Sequence, residues 1–183
     1  MSKLPSILSV TTVATTACFK VESVELQFSN GQKRQFERTV SSGRGAVVVV
    51  PFIDKDTVLL VREYGVGLER YYLSFPRGAV DQNEQPVDSA HRELMEEVGF
   101  AAKRMQPLCE FAPSPSYLTG MTYGFVADDL HEKSLPGDEP EALEVVPWKI
   151  ADVDELLAHP EFIESRSIAA LCYLLRKGYG AGS

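Results

Sequence analysis

An α+β fold, in which an antiparallel β subdomain precedes a mixed α/β body, follows from three features of the sequence. Two β-like runs flank Asn30-Gly31, two long apolar runs occupy 46–53 and 57–64, and helical patterns occupy 86–99 and 164–178. The chain has 183 residues, 44% hydrophobic and 24% charged, which suffices for one domain with an appended subdomain and a real core. The division is expected after residue 45, with 1–45 as the N-terminal hairpin segment and 46–183 as the main domain.

Each element has its own signal. "FKVESVELQF" alternates from Val21, and with "SNGQ" and "KRQFERTV" it reads as a hairpin closed at Asn30-Gly31. "AVVVVPFI" (46–53) is continuously apolar and "TVLLVREY" (57–64) follows the turn "DKD", so a second, more buried hairpin is expected. Pro86 suits the first turn of a helix and Gly99 its end. "YGFVADDL" (123–130) and "ALEVVPW" (142–148) read as strands, "VDELLAH" (153–159) as a short helix, and "ESRSIAALCYLLRKG" (164–178) as a closing amphipathic helix. The Gly, Pro and Ser content of "SSGRG" (41–45) and "LPGDEPE" (135–141) marks loops.

Charge and cysteine usage narrow the function. A formal net charge of -8 argues against general nucleic-acid binding, which needs a basic surface, but leaves room for a small phosphate ligand held by a few arginines. Cys18, Cys109 and Cys172 are too few and too scattered for a disulfide framework or a paired metal motif, so a reducing, cytoplasmic compartment is expected. Pro5 interrupts the apolar start of the chain, unlike a signal peptide, and no stretch reaches the roughly 18 apolar residues of a membrane span. A soluble protein with no membrane partner is the expectation.

The stretch "GAVDQNEQPVDSAHRELMEEVGF", Gly78 to Phe100, carries the chemistry. Val87, Ala90, Leu94 and Val98 recur at three- and four-residue intervals and form one buried helical stripe. At about 100° per residue, Glu93 and Glu97 fall about 40° apart beside that stripe, with Glu96 further toward solvent. A solvated face would favour alternating charges spaced for attraction. Adjacent carboxylates at the edge of a core point instead to a cation site.

This stretch resembles the Nudix box, G-x(5)-E-x(7)-R-E-U-x-E-E-x-G-U with U a bulky aliphatic or aromatic residue. Gly78, Glu84, Arg92, Glu93, Leu94, Glu96, Glu97, Gly99 and Phe100 meet every specified position. The resemblance implies an α/β/α sandwich with a mixed sheet, and a hydrolase that cleaves a nucleoside diphosphate linked to another group. It further implies Mg²⁺, with Mn²⁺ as a substitute, held by Glu93, Glu96, Glu97 and the carbonyl of Arg77. Hard oxygen ligands suit Mg²⁺, and such an ion neutralises phosphate oxygens and acidifies a bound water. Glu84 and Arg92 read as an ion pair orienting the ligating helix, with Gly78 and Gly99 shaping its ends.

Within the family, Pro115 in "APSPSYLTG", fifteen residues after Phe100, resembles the ADP-ribose pyrophosphatase branch. With the N-terminal hairpin, "VREY" and the closing helix, it is most like the bacterial hydrolases of ADP compounds (ADP-ribose, NADH, diadenosine polyphosphates), whose reaction releases AMP. The sequence departs from the branch where Gly65 follows Arg62-Glu63-Tyr64 in place of an arginine, and where Ser74-Phe75-Pro76-Arg77 replaces E-L-P-A. Arg38 and Arg62 are the candidate phosphate contacts, and Tyr64 and Tyr117 the candidate substrate-stacking rings. For the general base, the resemblance points to a glutamate beyond the box, here Glu139 or Glu141, with Glu96 also catalytic. In the same branch the N-terminal hairpin crosses to a second subunit, so residues 1–45 are expected to dimerise the protein. A GDP-mannose or other nucleotide-sugar pyrophosphatase and a non-catalytic ligand sensor on the same fold remain alternatives, although a sensor has no need of all three glutamates.

Overall fold

The computed structural model describes residues 3–17, 19–41, 44–137 and 140–179; Cys18 and the candidate base Glu139 lie outside these residues. The chain opens with β1 (Ser6–Thr15), β2 (Lys20–Gln27) and β3 (Lys33–Val40), an antiparallel sheet in the order β1-β2-β3. The predicted hairpin is β2–β3, with Val24 opposite Phe36. Gly31, at φ 81°, makes the left-handed step of the turn that a side chain would strain. The additional strand β1 escaped the sequence reading because it is exposed along its whole length, which leaves no inside-outside alternation to detect.

The main body contains β4 (Ala46–Pro51), β5 (Thr57–Gly65), β6 (Arg70–Ser74), β7 (Arg77–Ala79), helix α1 (Pro86–Glu93), β8 (Phe100–Phe111), β9 (Thr122–Glu132), β10 (Glu144–Lys149), and helices α2 (Val153–Ala158) and α3 (Ser165–Arg176). One sheet has the order β10-β5-β6 and the other β7-β4-β9-β8, in which β4 and β9 run parallel and the remaining pairs antiparallel. The expected hairpin of the two apolar runs does not form. β4 and β5 enter different sheets; their backbones meet in an isolated bridge just beyond β4, Phe52 to Val58, while Val47 and Val49 share a core cluster with Leu59 and Val61. Both runs are apolar at consecutive positions and need cover on both faces, which separate sheets between helices provide.

Alternation along β4 distributes the core. Val48 and Val50 pack with Leu171 and Leu174 of α3, while Val47 and Val49 pack with Ala90 of α1 and with Leu94 just beyond it. The sheets therefore lie between α1 and α3, as an α/β/α sandwich requires. Ala90, Leu94 and Val98 form the expected buried stripe, but Val87, in the first turn, is 37% exposed. The strands β6, β7 and β8 were not anticipated. β7 has only three residues, and β8 carries a bulge between Pro107 and Cys109 on a sheet edge, where proline is tolerated and apolar patterning is weak. Among the described residues, no helix is long and apolar enough to cross a membrane.

Candidate active site

The acidic helix is not uniform. α1 passes at Leu94 into a π-helical turn, Leu94–Val98, which ends at Gly99 with φ 78°. A π turn widens the helix locally and is frequent at functional sites, and here it contains Glu96 and Glu97. Glu97 Oε2 accepts the backbone N–H of Arg77 at 3.2 Å. Glu93 is 7% exposed and lies against the backbone of Gly78.

Arg92 fastens this helix to the preceding loop. Its guanidinium donates to Glu84, to the carbonyl of Ala79 at 3.0 Å, to Glu93 Oε1 at 2.6 Å and to Glu96 Oε2 at 2.9 Å. Glu84 also accepts Ser89 Oγ at 2.6 Å, and Arg92 and Ser89 together hold its carboxyl below the usual carboxylate range. The Arg92–Glu84 pair expected from the sequence is therefore present, and it reaches two of the three cleft glutamates. Among the described residues, no three His, Cys, Asp or Glu side chains converge in ligating geometry. Glu93 and Glu96 turn toward Arg92, while Glu97 turns toward the Arg77 amide. The donor chemistry nevertheless fits a divalent cation. Glu93, Glu96 and Glu97 all line one polar cleft, and burial, then the charge of Glu93, pushes the Glu97 carboxyl up to about 8. A cation between these groups would relieve both effects.

Arg77 is the hinge of the site. Its guanidinium, 13% exposed, donates to Glu63 Oε2 at 2.5 Å and to the hydroxyl of Tyr72, and lies 5.5 Å from the Tyr72 ring centroid. Glu63 and Tyr72 face each other across β5 and β6. Burial pushes the Tyr72 phenol up to about 12 and keeps it a hydrogen-bond donor. Alternation along β5 sends Glu63 toward Arg77, while its neighbour Arg62 pairs with Glu144 at 2.7 Å and Glu161 at 3.1 Å.

Arg77, Gly78 and Ala79 separate two adjoining clefts. One is the polar cleft of the glutamates, which also takes in Glu63, Asp81 and Arg92. The other, about 340 Å³, is more apolar and is walled by Phe19, Thr39, Ser41, Leu118, Met121 and Arg166, among others. Glu141 lines a further cleft together with Glu93, Glu96 and Glu97, and it accepts Tyr71 Oη at 3.0 Å. The structure thus brings Glu141 to the glutamates.

The four expected substrate contacts lie elsewhere. Arg38 pairs with Glu22 at 2.9 Å in the N-terminal sheet, Arg62 pairs as described, Tyr64 packs edge-on to Tyr71 with centroids 5.4 Å apart, and Tyr117 is 67% exposed. None of them lines these three clefts. Glu63, Tyr72, Glu164 and Arg166 were missed because their relation to Arg77 joins β5, β6, β7 and the start of α3, a long-range arrangement that local spacing does not encode.

Comparison with known proteins agrees with this architecture. The family model of the NUDIX domain matches residues 43–172, and that of the NudE-type Nudix hydrolase N-terminal domain matches residues 5–38. The chain is 46% identical over 179 residues to the ADP compounds hydrolase NudE of Escherichia coli (strain K12), covering 96% of this chain and 95% of that protein. It is 30% identical over 159 residues to the ADP-ribose pyrophosphatase of Bacillus subtilis (strain 168), covering 86% and 84%. A crystal structure of an ADP compounds hydrolase superposes with a TM-score of 0.92 at 43% identity, covering 100% of this chain and 98% of that one.

Proposed function

The chain belongs to the Nudix hydrolases, and on that premise we propose that it hydrolyses the diphosphate bond of ADP-linked compounds, releasing AMP. The observation that carries the substrate class is its 46% identity, across nearly its whole length, to an ADP compounds hydrolase. The adjoining clefts support the reading, because a nucleoside diphosphate needs an acidic, cation-binding place for its phosphates beside a more apolar place for the rest of the molecule.

Glu93, Glu96, Glu97 and the main-chain carbonyl of Arg77 would hold Mg²⁺, with Mn²⁺ as a substitute. The bound ion would neutralise phosphate oxygens and acidify a water. Arg92, tied to Glu84, orients the glutamates from behind. Gly78 leaves room for the Glu93 carboxylate, and Gly99 closes the helix. Glu141, across the cleft from the glutamates, is the described candidate for taking the proton from the attacking water; Glu139 is the second candidate. The unit of activity is a homodimer joined through residues 1–45, in the cytoplasm, with a small nucleotide as its substrate and no nucleic acid.

The test is a panel of ADP-ribose, NADH, diadenosine triphosphate and GDP-mannose with Mg²⁺. ADP-ribose is expected to give AMP and ribose 5-phosphate. Release of free ADP, or turnover of GDP-mannose alone, would defeat the assignment.

A further inference from the structure

The more apolar of the two adjoining clefts contains an anion-binding arrangement. Its charged lining residues, among those described, are Arg77 and Arg166. Two guanidinium groups in an otherwise uncharged cleft of a protein with net charge -8 mark a place for an anion. The arginines differ in what they have left to offer. Arg77 is 13% exposed and already donates to Glu63 and Tyr72. Arg166 is 27% exposed, and of its nitrogens only Nε is engaged within the described structure, donating to Glu164 Oε1 at 2.8 Å. Both Nη groups of this planar fork are available to an anion that accepts two hydrogen bonds, such as phosphate.

Arg166 is also held in place. Glu164 caps α3, its Oε2 accepting the backbone N–H of Ser167 at 2.8 Å and Ser167 Oγ at 2.9 Å, while its other oxygen accepts Arg166. A carboxylate fixed to a helix start thus fixes the guanidinium, so little side-chain freedom is lost when an anion binds.

We propose that Arg166 binds the second phosphate of the substrate, the one on the far side of Gly78 from Glu93, Glu96 and Glu97. The proposal rests on the reading of the chain as a hydrolase of ADP-linked compounds. Because Arg77, Gly78 and Ala79 border both clefts, a diphosphate lying across them places one phosphorus at the glutamates and the other toward α3. Arg166 acts in binding, and the glutamates act in cleavage.

The experiment is steady-state kinetics of the full-length protein with ADP-ribose and Mg²⁺, for the unmodified protein, Arg166→Gln and Arg166→Lys, with melting curves of each. Loss of a charge-assisted contact made equally in ground and transition states raises KM and spares kcat, so Arg166→Gln is expected to raise KM about tenfold or more. Arg166→Lys should recover part of that loss, since it restores the charge but not the fork. Melting temperatures should stay close together, because the Glu164–Ser167 cap is retained. If the unmodified protein hydrolyses ADP-ribose and Arg166→Gln leaves KM unchanged, or lowers kcat alone, the phosphate contact is overturned and the function stands. If the unmodified protein hydrolyses none of the ADP compounds, both fall. Should Arg166→Gln fail to fold, Arg166→Lys decides, with a KM severalfold raised for the proposal and an unchanged KM against it.

Discussion

Gly78 and the Glu93 carboxylate occupy adjoining space so closely that a Cβ built on Gly78 would lie 2.0 Å from Glu93 Oε1 and 2.4 Å from Oε2. The obstructing atoms are the end of a side chain, so the backbone need not move for Gly78→Ala to fold. The carboxylate must. Gly78→Ala is therefore expected to melt within a few degrees of the unmodified protein yet lose turnover by about a hundredfold or more, because it displaces a proposed cation ligand. A variant with near-normal turnover would show that Glu93 tolerates displacement and is no ligand.

Glu93→Gln and Glu97→Gln keep size and helix while each removes one charge. Turnover is expected to fall by about two orders of magnitude or more in either variant. Added Mg²⁺ should raise the melting temperature of the unmodified protein by binding its folded state, and raise that of the variants less. The opposite pattern, with stability lost in the absence of metal and activity per folded molecule retained, would assign these residues to structure alone.

A pH dependence follows from Glu97. Burial, and then the Glu93 charge, push its folded-state carboxyl up to about 8, against an ordinary value of 4.5. A carboxyl whose pKa is higher folded than unfolded is protonated more readily in the native state, so native stability falls as pH rises. In metal-free protein the Glu97 contribution should be neutral below about 4.5, decline from there to about 8 and level off above it. Urea melts across that range, compared between the unmodified protein and Glu97→Gln, should show the decline reduced in the variant. Cation binding needs the carboxylate, so Mg²⁺ should bind more tightly toward pH 8 and release protons on binding below it. Equal pH slopes in the two proteins would remove Glu97 as the titrating group.

The candidate site was legible in the sequence to the extent that it is local. Gly78, Glu84, Arg92, Glu93, Glu96 and Glu97 lie within one loop and helix; their spacing indicated one acidic edge, the resemblance to the Nudix box implied one ion pair, and the Arg92–Glu84 contacts follow that reading. Spacing at a uniform 100° did not anticipate the π turn at Leu94–Val98, which re-aims Glu96 and Glu97. Contacts across the sheet were the least legible. Arg62 and Glu63 are neighbours in sequence with opposite orientations, and only the pairing of Glu63 with Tyr72 decides which one faces Arg77. The apolar runs at β4 and β5 announced buried strands correctly, yet nothing in their composition distinguishes pairing with each other from pairing with β9 and β10. The N-terminal hairpin was readable from Asn30-Gly31 and alternation, whereas β1, exposed on both faces, offered no pattern.

That exposure is the basis of the last prediction. All ten residues of β1 are exposed, and Ile7 (60%), Val10 (45%) and Val13 (50%) present aliphatic side chains to solvent, as does the ring of Phe36 (48%) in β3. Ile7 and Val10 lie opposite Leu26 and Val24, and Val24 opposite Phe36, so the exposed side chains of Ile7, Val10 and Phe36 share one face of the sheet, and exposed apolar side chains grouped on one face are typical of an interface. β1 is also an edge strand whose outer backbone groups have no ladder partner within the three-stranded sheet. Sedimentation at micromolar concentration is therefore expected to give a dimer, as proposed for residues 1–45. A single buried charge in such an interface costs several kcal/mol per copy, and a two-fold contact would meet it twice, so Val10→Glu should yield monomers at the same concentration. The more apolar cleft is walled in part by Phe19, Thr39 and Ser41 at the base of this sheet, so dissociation should also raise KM. A monomeric unmodified protein with full activity would separate the N-terminal sheet from assembly. A dimeric Val10→Glu protein would place the interface on another face.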